Sequence, residues 1–142
     1  MFEGFSTERI AVGDAEINVL TGGSGPPVLL LHGYPQTHVI WHKVAPLLAS
    51  KLTLVIPDLP GYGASKGPAP DPANQNYSKR NIARVLAALM SLLGHEKFAV
   101  AGHDRGGRVG FRLALGPARA SKRAFRVTSR PGWLATDRTT GK

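Results

Sequence analysis

The eleven residues Phe98-Ala99-Val100-Ala101-Gly102-His103-Asp104-Arg105-Gly106-Gly107-Arg108 restrict what this chain can fold into more than any other segment. An apolar run of strand length ends in Gly-x-Asp-x-Gly, and a short helical pattern follows from Arg108 to Leu115. Strand, tight turn and helix in that order form the elbow that exposes a reactive side chain at the carboxyl end of a sheet, here with Asp where Ser is commoner. Glycines two before and two after the central residue are required physically. The turn strains that residue's backbone and leaves no room for neighbouring side chains. Asp104 is therefore expected to stand exposed at the end of its strand. The helix behind it aims backbone N–H groups and its positive dipole end at the same point, which favours a carboxylate there and any anion nearby.

An Asp nucleophile implies different chemistry from a Ser. A carboxylate is already ionised at neutral pH, needs no base for its own attack, and suits displacement at a saturated carbon bearing a leaving group. The product is an ester of the protein. Removing it takes a water, a general base such as His, an acid to orient that His, and donors for the developing oxyanion. Arg105 and Arg108 lie three apart at the start of the helix and can share a face close to Asp104. Two guanidinium groups there suit a substrate carboxylate and hold Asp104 ionised. Three other roles weigh against these: Asp104 as a helix cap, the two arginines as surface ion-pair residues, and His103 as a packed or hydrogen-bonded side chain rather than a base.

Three segments together, His32-Gly33-Tyr34-Pro35, Asp58-Leu59-Pro60-Gly61-Tyr62-Gly63-Ala64-Ser65 and Gly102 to Arg108, resemble the α/β-hydrolase superfamily. Within it, Asp-Arg-x-x-Arg at the elbow is most similar to the haloacetate (fluoroacetate) dehalogenases. Haloalkane dehalogenases and epoxide hydrolases are less similar, since they usually carry Trp directly after the nucleophilic Asp. The resemblance runs from about Glu8 to about Arg119. It implies that Asp104 displaces halide from a 2-haloacid and that Arg105 and Arg108 bind the substrate carboxylate. It also implies that the backbone N–H groups of Tyr34 and Arg105 form the oxyanion hole.

The rest of the chain reads as an α/β succession. Ile10 and Val12, then Ile17 and Val19, alternate about Gly13-Asp14, which is hairpin spelling. Thr21 to Pro27 reads as a loop, and Val28-Leu29-Leu30-Leu31 as a buried parallel strand that delivers His32 to Pro35 to the carboxyl end of the sheet. Trp41 to Ser50 reads as a helix around Pro46 with Val44, Leu47 and Leu48 inward, and Leu52 to Ile56 as a second buried strand. The Gly-rich loop after Asp58 lacks the Gly-Lys-Ser/Thr ending of a phosphate cradle and is expected to shape the rim of the site. Gly67 to Asn76 reads as an exposed loop. Ser78 can cap a helix whose Ile82, Val85, Leu86, Leu89 and Leu93 face inward, with Lys79, Arg80 and Arg84 as a solvated face and Gly94 as its stop. His38 and His42 stand four apart, yet the spelling lacks the Glu of the zinc-protease motif and a third ligand, so no metal is expected.

The 142-residue chain has no Cys, and no apolar run approaches the roughly 20 residues of a membrane span. Its start is acidic without an apolar core segment, so no signal peptide, no membrane partner and a cytoplasmic location are expected. The net charge of +9 divides unevenly: residues 1–115 hold 11 Lys+Arg against 8 Asp+Glu, and residues 116–142 hold 7 against 1. The basic character belongs to the tail, and nucleic acid is not the expected partner. In the resembling family the triad acid and base both follow the elbow. Here no His follows His103, the only acid after Asp104 is Asp137, and residues 120–133 hold no run longer than two apolar residues.

The expectation is thus the N-terminal half of an α/β-hydrolase fold, a doubly wound, mostly parallel sheet lacking the later strands and cap domain. Residues 1–115 carry the elbow, and residues 116–142 form a basic, irregular tail attributed to a frame shift near Arg119. The elbow strand is expected at an exposed edge, a liability for aggregation. The expected function is that of a haloacetate dehalogenase-like hydrolase acting on a halogenated carboxylic acid without a cofactor, with this chain not turning over. The alternatives are an epoxide hydrolase or other hydrolase of the same fold, and a non-catalytic fragment whose basic tail binds anionic partners.

Overall fold

The computed structural model describes residues 1–73, 75–115 and 123–127. Strands β1 (Ser6–Val12) and β2 (Ala15–Gly23) form the expected hairpin, closing at Val12↔Ala15 around Gly13, whose φ of 58° suits the tight turn. Strand β3 (Pro27–Leu31), strand β4 (Thr53–Pro57) and strand β5 (Ala99–His103) follow. With strand β6 (Arg123–Val127) they make one sheet of order β1-β2-β4-β3-β5-β6. β2 meets both β1 and β4 antiparallel, while β4, β3, β5 and β6 run parallel.

Side chains alternate across this sheet with period two and so fill two cores. Ile17, Val19, Leu29, Leu31, Val55 and Val100 face helix α2 (Lys79–Leu92) and helix α3 (Arg105–Leu115). Leu20, Leu30, Leu54 and Ile56 face the other way, onto Trp41 of a short 3₁₀ turn (His38–Trp41) and Ala45 of helix α1 (Ala45–Leu48). Each large aliphatic side chain so removed from water contributes roughly 1.5–3 kcal/mol. The doubly covered sheet matches the expected class.

Helix α2 forms as its spelling requires. Ser78 Oγ accepts from Asn81 N–H at 3.1 Å, Leu86 and Leu89 are fully buried, Ile82, Val85 and Leu93 pack around them, and Gly94 follows at φ 86°. Three sequence expectations need correction. The segment read as a loop from Thr21 begins as strand, because Thr21, Gly22 and Gly23 pair with Val55, Leu54 and Thr53 of β4, which supplies the hydrogen bonds that turn residues otherwise lack. The helix read from Trp41 to Ser50 is two short turns, and its inner face is Trp41 and Ala45 with Leu48 packed beside them as expected; Val44 and Leu47 are exposed.

The third correction concerns the tail. Arg123–Val127 is a strand, paired parallel from Ala99↔Arg123 to His103↔Val127, so β5 is not an edge strand. An apolar run is one way to specify a strand. The open N–H and C=O groups of a neighbour are another, and β5 presents them to a segment that carries the strand formers Phe125 and Val127. The remaining expectations for residues 116–142 lie outside the described residues. Among the described residues no helix is long and apolar enough to cross a membrane.

Candidate active site

β3 sits between β4 on one side and β5 on the other, so the chain departs in opposite directions from the ends of neighbouring strands. The crevice at the carboxyl ends of such strands is where open α/β sheets bind ligands. His32-Gly33-Tyr34-Pro35 leaves β3 there, and Asp104 leaves β5 beside it.

Asp104 has φ 53°, the only positive value at a non-glycine among the described residues. A left-handed conformation costs an L-residue roughly 1–2 kcal/mol, and strain of this kind is held only where the surroundings enforce it. The enforcing contacts are the flanking glycines. A Cβ on Gly102 would run into the Gly106 carbonyl, and one on Gly106 would run into the carbonyl oxygens of Leu31 and His32. The elbow therefore needs glycine at both places, and it presses directly against the end of β3.

That contact assembles the first pair of residues named from the sequence. The Tyr34 N–H donates to Asp104 Oδ2 at 3.2 Å. Asp104 is held below the ordinary carboxylate value of 3.8, first by this bond, against a burial effect that raises it, then by the Arg105 N–H and the charges of His103 and Arg108. The resting carboxylate so keeps one oxygen on the Tyr34 amide. Its own carbonyl accepts from Arg108 N–H at 3.2 Å, which starts α3.

The two arginines differ. Arg105 is exposed but tethered: its Nη1 donates to the Tyr62 hydroxyl at 3.0 Å, and its guanidinium lies 5.0 Å from the Tyr34 ring centroid. Arg108 is exposed, and among the described residues neither arginine makes an ion pair. The Arg108 side chain acts on the Asp104 carboxylate through its charge.

His103 is a bonded side chain, as its alternation along β5 indicated. Its Nδ1 lies 3.1 Å from Gln36 Oε1, the same oxygen that accepts the Gly33 N–H at 3.1 Å. An amide oxygen cannot donate, so His103 Nδ1 carries the proton of that bond. Gln36 was not singled out from the sequence. Its only legible mark was its place directly after Pro35.

Two buried polar residues brace the loops. His32 is fully buried; its Nε2 accepts from Leu59 N–H at 2.9 Å, which leaves Nδ1 to donate to the Gly33 carbonyl at 2.8 Å. Its basicity is lowered, chiefly by burial, against the Gly33 bond and the Asp58 charge. Asp58 is likewise buried. Its Oδ1 accepts from the His38 N–H and meets His38 Nδ1, both at 2.8 Å, and its Oδ2 accepts from Asn18 Nδ2 and Ala64 N–H, both at 3.1 Å. Burial would raise its pKa, yet these bonds together lower it. Gly63 turns at φ 54° where a Cβ would strike that carboxylate. His38 is thus committed to Asp58, and His42 Nδ1 to the Val39 carbonyl at 2.8 Å. Among the described residues no group of three or more His, Asp or Glu could hold a metal ion.

Parallel strands that bring a strained acid from one strand end against backbone donors from the next, at the switch point of a doubly covered sheet, define the α/β-hydrolase class of fold. The chain belongs to the alpha/beta hydrolase fold family, whose sequence pattern matches residues 26–139, well past Arg119 where the motif resemblance ends. It is 53% identical over 115 residues to a fluoroacetate dehalogenase of Burkholderia sp, and 39% identical over 118 residues to a soluble epoxide hydrolase of Corynebacterium sp. (strain C12). These alignments cover 81% and 83% of this chain but 38% and 40% of the two relatives. A solved structure from Nostoc sp PCC 7120, assigned to the alpha/beta hydrolases, superposes with a TM-score of 0.86 at 51% identity, covering 89% of this chain and 43% of that one.

Proposed function

We propose that this chain carries the nucleophile, the oxyanion donors and the carboxylate clamp of a haloacetate dehalogenase. The observation that carries the reading is Asp104 itself: an ionised carboxylate at φ 53° with Oδ2 on the Tyr34 amide. With that oxygen held, the other is left to attack the halogen-bearing carbon of a 2-haloacid. The new C–O bond forms as the C–halogen bond breaks, and the halide leaves with the bonding pair. Arg105 and Arg108 hold the substrate carboxylate and offset its repulsion by Asp104. In the resulting ester, Oδ2 is the carbonyl oxygen, already beside the donors that stabilise a tetrahedral intermediate.

Ester hydrolysis needs a base, and His103 is engaged with Gln36 through Nδ1. No histidine follows it in these 142 residues, so the expected product on this chain is the Asp104 ester. A second reading, an epoxide hydrolase, draws on the Corynebacterium relative; it uses the same Asp but requires no carboxylate on its substrate. Intact-mass spectrometry after incubation with chloroacetate, beside an Asp104→Asn control, tests the proposal. A single stoichiometric adduct only in the unmutated chain supports it. No adduct, or equal labelling of both chains, rejects it, and faster adduct formation from a neutral epoxide than from chloroacetate favours the second reading.

A further inference from the structure

Tyr62 lies in the Gly-rich loop that the sequence marks only as rim. Its backbone is fixed twice, with its N–H on the Leu59 carbonyl at 2.8 Å and its carbonyl accepting from Ser65 N–H at 3.0 Å. Glycines at positive φ flank it, Gly61 at 83° and Gly63 at 54°. The ring meets two others edge-on, buried His32 at 5.5 Å and Tyr34 at 6.3 Å between centroids. So many constraints on one half-buried ring leave its hydroxyl in one place, and that place is 3.0 Å from Arg105 Nη1.

An arginine can be ordered by a carboxylate, but the ion pair then competes with any anionic ligand. Arg105 is ordered by neutral groups instead, the Tyr62 oxygen at one nitrogen and the Tyr34 ring near its guanidinium. Its charge stays available, and four of the five N–H donors of a guanidinium remain for a ligand. The Tyr62 oxygen accepts in this bond, so its own hydrogen is directed elsewhere, and among the described residues no acceptor takes it.

We infer that Tyr62 is a specificity-determining residue for carboxylate-bearing substrates: it fixes the Arg105 guanidinium and offers its O–H as a further donor to the same carboxylate. This rests on the reading of Asp104 and Arg105 given above. Neutral substrates gain nothing from the pair, so its effect is on selectivity rather than on the reactivity of Asp104.

The test compares second-order rates of Asp104 alkylation by chloroacetate and by chloroacetamide, followed by intact mass on the full chain and on Tyr62→Phe. The variant keeps the ring packing, and its thermal midpoint reports folding. The expected result is a drop of about tenfold in the chloroacetate-to-chloroacetamide rate ratio, the scale of one hydrogen bond to a charged group. A ratio within twofold of the unmutated chain overturns the inference. Should the unmutated chain take no adduct from either reagent, the reading of Asp104 fails, and acetate binding decides Tyr62 separately, monitored at the Arg105 Nε–H resonance. Acetate binding about tenfold weaker in Tyr62→Phe supports it; equal binding, or no response in the unmutated chain, overturns it.

Discussion

Gly33 and Asp104 leave each other no room: a Cβ on Gly33 would lie 2.7 Å from the Asp104 Cβ and 2.9 Å from the His103 carbonyl oxygen. This contact, between backbone on one side and a strained residue on the other, sets the Tyr34 amide at Asp104. Gly33→Ala must push the two loops apart. We expect a loss of about 1–3 kcal/mol in stability by denaturant unfolding and a loss of about 100-fold in Asp104 alkylation by chloroacetate. Alkylation at the unmutated rate would show that the Gly33 contact does not position the acid.

The strain at Asp104 is measurable by itself. Asp104→Gly and Asp104→Ala both remove the side chain that accepts from Tyr34, but only Gly adopts φ 53° freely. The Gly variant is expected to be the more stable of the two by about 1 kcal/mol in urea unfolding, the reverse of their order in an ordinary helix. Equal midpoints would mean that the elbow relaxes once the side chain is gone.

The lowered pKa of Asp104 fixes a pH profile. A neutral reagent such as chloroacetamide keeps its own charge constant, so its rate reports the carboxylate alone. That rate should still exceed half its neutral-pH value at pH 3.8 and reach the half-way point only below it. A half-maximal rate above 3.8 would contradict the stabilising bonds from Tyr34 and Arg105.

Burial of neutral His32 makes stability fall as the pH falls. Its folded pKa lies below 6.5, so as the pH falls through 6.5 the unfolded chain takes up a proton that the folded chain refuses. The contribution of His32 is complete above 6.5, shrinks below it, and is exhausted once the folded imidazole itself protonates and gives up the Leu59 N–H. Denaturant midpoints at pH 8, 6 and 5 should therefore fall less steeply in His32→Asn than in the unmutated chain. Parallel slopes would show that His32 is not the group responsible.

The elbow and the β3 loop were legible because their glycines and the acid are spelled at fixed offsets, and each spelling has one steric solution. Helix α2 was legible because Leu86 and Leu89 recur at helical spacing behind a Ser cap. Gly22 and Gly23 misled because glycine spells turn in isolation, whereas β4 supplies them with partners. Val44 and Leu47 misled because hydrophobicity does not say which side of a four-residue turn meets the sheet. β6 was missed because what makes Arg123–Val127 a strand belongs to β5 rather than to its own residues. Tyr62 and Gln36 were invisible as site residues for the same reason: each acts on a partner that only the folded chain brings near.

Asn18 sits on β2, in the terminal hairpin, the part of a sheet most prone to fray. Yet its amide holds Asp58, Asp58 holds the His38 N–H, and the same loop, two residues back, pivots on Gln36 at Gly33 and His103. The hairpin is therefore a tensioned stay rather than an ornament of the sheet. Damage there is transmitted along a line of a few hydrogen bonds, and it slackens the grip on Asp104 before any residue of the elbow has changed.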